Sequence, residues 1–94
     1  MDQERKERLA RNEAHARDLN ERFGLGRFVC ECGNPHCNEI IRLPLGIYQS
    51  IRSDDRRFLI RPGHSVPEME DVVVERNSWA VVRKHDDVAH VVET

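Results

Sequence analysis

Large apolar side chains are scarce in this sequence. It has three Phe, one Tyr and one Trp among 94 residues, and 38% of its residues are hydrophobic. A core that thin leaves a small domain little margin, and a bound metal is one of the usual supplements. Cysteine is scarce as well: only Cys30, Cys32 and Cys37 are present. An odd number cannot pair fully within one chain, so a disulfide framework is not expected, and the close spacing points to a metal instead. No run of about 18 apolar residues occurs, so no membrane-spanning helix is expected. The charged segment from Met1 to Arg11 lacks the apolar stretch of a secretory signal, which makes a cytoplasmic location the expectation. Neither sign of charge dominates: 15 Lys and Arg stand against 17 Asp and Glu. Generic nucleic-acid binding needs a clear basic excess, so this balance counts against it. A phosphate-binding glycine loop, a Gly-x-Ser-x-Gly turn and a His-Glu-x-x-His helix are also missing.

What is present begins with charge and helix formers. Residues 2 to 23 contain no Gly or Pro and predict one long helix, with Asp2 as its N-cap. Leu9, Ala16, Leu19 and Phe23 recur at helical spacing as a narrow apolar stripe. Gly24 is placed for a left-handed C-terminal cap, with Leu25 folding back onto Leu19. Residues 27–31 and 38–43 predict a hairpin whose loop carries the cysteines. Pro44 opens a short second helix at its first turn, with Ile47, Tyr48 and Ile51 on one face and Ser53-Asp54-Asp55 at its end. Residues 57–61 form a third strand, stopped by Pro62-Gly63. Residues 71–76 and 79–84 form a second hairpin around Asn77-Ser78. The expected fold is therefore α+β with a mostly antiparallel sheet, in one domain over residues 1–94. Helix 1–23 would lie against a body formed by residues 27–94.

The chemistry sits in Cys30-Glu31-Cys32-Gly33-Asn34-Pro35-His36-Cys37. Zinc prefers thiolate and imidazole ligands, and its structural sites are tetrahedral. Gly33 lets the backbone turn sharply after Cys32, and Pro35 stiffens the return to Cys37. An iron–sulfur cluster usually requires four cysteines. The fourth zinc ligand is expected to be His64, because a Pro-Gly turn at a strand end is the kind of loop that builds sites. His36 is the alternative, handicapped by its adjacency to Cys37. His15, His85 and His90 read as surface residues.

The Cys-x-Cys-Gly-x-x-x-Cys segment resembles the zinc knuckle of the post-SET region of histone lysine methyltransferases. In that family three such cysteines hold zinc and a fourth ligand comes from elsewhere in the fold. The resemblance implies metal binding by Cys30, Cys32 and Cys37, and nothing about methyl transfer. The whole chain also resembles a family of short, uncharacterised bacterial proteins. The likeness lies in Arg11 to Ala14, Phe28 to Gly33, Pro62 to Glu68 (Pro-Gly-His-x-Val-Pro-Glu) and Val73 to Asn77. It implies one fold and one metal site rather than a reaction. A departure falls at Leu43-Pro44-Leu45, where a hydroxyl N-cap would be expected.

Three thiolates and one imidazole saturate zinc, and a closed site of this type is structural. The function expected is a zinc-stabilised protein-interaction or regulatory module, not an enzyme, with a protein partner. A nucleic-acid-binding regulator using the basic segment from Arg52 to Arg61 is one alternative. A thiol or zinc-release redox sensor is the other.

Overall fold

The structure is a computed structural model, and it describes residues 3–85. Asp2, His90 and the tail over residues 86–94 lie outside the described residues. The long run of helix formers is α1, Gln3–Phe23. Its inward face is not the apolar stripe. Ala10, Glu13 and Asn20 are its buried residues, while Leu19 is 38% and Phe23 is 73% exposed. Leu9 and Ala14 pack partly against the core. The helix docks through hydrogen-bonding side chains, which an apolar pattern cannot reveal.

Its end also differs from expectation. Gly24 donates to the Asn20 carbonyl at 2.8 Å, as a continuing helical turn would. It does not have a positive φ, and Leu25 is 85% exposed rather than folded onto Leu19. Gly24 is required for space: a Cβ there would lie 2.5 Å from the Phe28 ring.

Two antiparallel sheets follow. Strands β1 (Arg27–Val29) and β2 (Ile40–Arg42) pair with Phe28 opposite Ile41, and both of those side chains point into the core. Helix α2 (Leu45–Arg52) comes next, with Pro44 at the N-cap rather than in the first turn. The Pro44 ψ of 140° is extended, which sets it just outside the helix, and no side chain caps the start. Strands β3 (Arg57–Ile60), β4 (Glu70–Glu75) and β5 (Ala80–Lys84) form the second sheet in the order β3-β5-β4. A bulge at Val73 shifts the β4–β5 register between Val72 and Val74.

The apolar interior is built from Phe28, Ile41, Phe58, Leu59, Ile60, Met69, Val81 and Val82, each at most 1% exposed. Tyr48 of α2 stacks on Phe28 at 4.2 Å between ring centroids. The architecture is the expected α+β arrangement, and every strand pair among the described residues is antiparallel. No helix among the described residues is long and apolar enough to cross a membrane.

Candidate metal centre

Beyond β1 the chain continues alongside β3. Cys30 donates its backbone N–H to the Glu39 carbonyl at 3.0 Å, closing the neck of the loop. Glu31 donates to Leu59 at 2.8 Å. Inside the loop, Cys37 donates to the Asn34 carbonyl at 3.0 Å, and the Asn34 side chain accepts from the His36 N–H at 2.9 Å. Gly33 has φ +80°, the left-handed conformation that the sharp turn after Cys32 demands. These local bonds curl one short loop so that three sulfurs converge.

His64 arrives from the β3–β4 connection. Its N–H donates to the Arg61 carbonyl at 3.2 Å across Pro62 and Gly63. Gly63 has φ +84°. Proline at the second position and a left-handed glycine at the third define a type II turn. The same Arg61 donates its own N–H to Cys30 Sγ at 3.2 Å, tying this turn directly to the knuckle.

The four expected ligands are brought together: one donor atom each from Cys30, Cys32, Cys37 and His64 lies within 4.8 Å of every other. His64 Nδ1 is 3.5 Å from Cys30 Sγ and 3.7 Å from Cys37 Sγ. Zinc bonds of about 2.3 Å to sulfur and about 2.0 Å to nitrogen, at a tetrahedral angle, put sulfur and nitrogen about 3.5 Å apart. The spacing and the donor set therefore fit a tetrahedral ion ligated through Nδ1. Cys30 and Cys32 are buried, and Cys37 and His64 are partly exposed.

The electrostatics agree. The hydrogen bond between Cys30 and Cys32 holds the Cys32 thiol down to about 5. The same contact, together with burial, pushes Cys30 far above the ordinary thiol range. Burial pushes Cys37 up as well. Three thiols this close cannot ionise together without a cation among them. Cys30 Sγ receives the Arg61 backbone N–H, and the backbone at Asn34 and Glu39 favours the charged forms of Cys32 and Cys37. Such donors orient metal thiolates and spread their charge.

The supporting residues escaped the sequence reading. Glu31, between two ligands, points the other way and is fully buried. Its carboxylate accepts from Tyr48 Oη at 2.6 Å, Asn20 Nδ2 at 2.8 Å and the Leu59 N–H at 2.8 Å. Burial still pushes its pKa up. Asn20 also brackets Val29, accepting from its N–H and donating to its carbonyl, each at 2.8 Å. Asn12 donates to the Gly33 carbonyl at 2.9 Å. The available signal was the seven-residue spacing of Glu13 and Asn20, which places them on one face of α1.

Among the other histidines, His36 and His15 are exposed and stand outside the cluster. His85 lies 3.2 Å from Asp71. The arginines of the basic segment have intramolecular partners. Arg52 pairs with Glu21 at 3.1 Å and Arg57 with Asp54 at 3.7 Å. Arg61 reaches Glu39 at 3.8 Å and donates to the Ser78 carbonyl at 2.9 Å. Asp54 acts as a turn residue, accepting from the Arg56 N–H at 2.9 Å.

No protein-family model matches this chain, and no curated protein or solved structure matches it.

Proposed function

We propose that the chain is a zinc-stapled protein-interaction or regulatory module whose metal is structural. The observation that carries this reading is the closed set of three sulfurs and one imidazole nitrogen, all within 4.8 Å. Such a set fills a tetrahedral ion and leaves no position for a water to be activated. Zinc is favoured because thiolate-rich tetrahedral sites select zinc or iron–sulfur chemistry, and one isolated Cys3His set suits the former. The knuckle works here as the post-SET segment does in the enzymes it resembles, with His64 supplying the outside ligand.

The protein-partner reading is supported over a phosphate-binding one by the arginines. Arg52, Arg57 and Arg61 are engaged with acids of the same chain, so they offer phosphate little unpaired charge. Exposed apolar side chains such as Phe23 and Leu25 are consistent with contact to another protein.

Metal analysis of the purified chain, with and without chelator, tests the structural role. Structural zinc contributes on the order of 10 kcal/mol, comparable to the whole stability of a small domain. One zinc per chain and loss of the folded circular dichroism signal on chelation are expected. A chain that stays fully folded after complete metal removal would contradict a structural role.

A further inference from the structure

The four ligands are unequally protected. Cys30 is 6% exposed and Cys32 is 4% exposed, while Cys37 is partly exposed. A cavity of about 270 Å³ lies between α1 and the knuckle, bordered by Asn12, His15, Leu19, Cys30 and Cys37. Two of the sulfur ligands therefore line one opening, and the more exposed of them is Cys37. With three thiolates, neutral imidazole and a divalent ion, the centre carries a net charge of about −1. Its sulfurs stay electron-rich and nucleophilic, and access then decides which one reacts.

We propose that Cys37 is an oxidation site for a small peroxide, and that its oxidation ejects the metal. This rests on the zinc reading above. The Cys37 thiolate attacks one peroxide oxygen, the O–O bond breaks, and a sulfenic acid and a hydroxide result. The Cys30 thiolate, on the same cavity, then attacks the Cys37 sulfur. A disulfide forms, the S–O bond breaks, and a second hydroxide leaves. Two sulfurs have lost two electrons in total and the peroxide has gained them, so no further reductant or oxidant is needed. Only Cys32 and His64 then remain as donors, too few to retain a structural zinc. His64 belongs to the β3–β4 turn, so loss of the ion removes the metal link between that turn and the knuckle and leaves only bonds such as that from Arg61 to Cys30.

The test uses the intact, reduced chain. Zinc content is measured first, and a few equivalents of hydrogen peroxide are then added with a zinc-sensitive dye present. Residual thiols are alkylated and mapped by tandem mass spectrometry. One zinc released per chain and a Cys30–Cys37 disulfide are expected, and in a parallel zinc-loaded sample without peroxide, iodoacetamide labelling of Cys37 about tenfold faster than of Cys30 or Cys32. A reduced chain without zinc would overturn the metal centre and this inference together. A zinc-loaded chain that keeps its zinc through peroxide would overturn this inference alone. So would Cys37 reacting no faster than its neighbours, or a disulfide that omits it.

Discussion

Gly33 and Gly46 should respond oppositely to the same substitution. Gly33 has φ +80°, and a Cβ there would lie 2.8 Å from Glu13 Cγ and 2.9 Å from the Leu9 carbonyl. Gly33→Ala therefore combines backbone strain with a clash against α1, and should cost about 1–3 kcal/mol. Gly46 lies in α2 with nothing within 4 Å of its Cβ position. Gly46→Ala should stabilise by about 0.5–1 kcal/mol through helix propensity. Urea titration of the metal-loaded protein reads both; equal effects would contradict the packing of α1 on the knuckle. The convergence of Cys30, Cys32 and Cys37 was legible in the sequence, because three thiols crowded into a Gly/Pro turn suit a metal better than a core. His64 was legible through its Pro-Gly turn. Glu31 and Asn20 were not, because composition cannot distinguish a buried, fully hydrogen-bonded carboxylate from a solvated one. Asn20→Ala leaves Glu31 and Val29 short of partners, and should cost about 1–3 kcal/mol in the same titration.

At the scale of elements, α1 is fastened to the larger sheet by one buried cation. Lys84 Nζ on β5 contacts both Glu13 of α1 and Glu70 of β4, with the Phe58 ring centroid 5.0 Å away. All three polar side chains are at most 2% exposed. Lys84→Met would strand two carboxylates in the core and should cost about 3–5 kcal/mol. Burial outweighs the attraction of Lys84 and pushes the Glu13 pKa well above 4.5. The folded state then binds a proton that the unfolded state gives up, so this contribution is present near pH 4.5 and is lost as pH rises above it. Glu13→Gln should accordingly gain in relative stability over the wild type between pH 5 and pH 7. No relative change over that range would mean that Glu13 is an ordinary ion-paired carboxylate, whose contribution varies only at lower pH. The strand segments were readable from β-branched runs and turn residues. The docking face of α1 was not, because its anchors are polar. The order β3-β5-β4 was not readable either, since the β3–β5 pairing depends on burying Phe58, Leu59 and Ile60 together rather than on local pattern.

Over the whole molecule, the metal centre lies where the two sheets meet. Cys30, Cys32 and Cys37 belong to the β1–β2 connection and His64 to the β3–β4 connection, so an ion held among them would link segments distant in sequence. Other bonds also cross this junction: Glu31 with Leu59, Arg61 with Cys30 and Arg61 with Glu39. The donor set calls for an ion bound by three sulfurs and one imidazole, with no water. Zinc-edge X-ray absorption on the purified protein tests it most directly. Three sulfur scatterers at about 2.3 Å and one nitrogen at about 2.0–2.1 Å are expected, with His64→Ala replacing the imidazole signal by a light atom from solvent. A wild-type spectrum with fewer than three sulfurs, or one unchanged by His64→Ala, would contradict it.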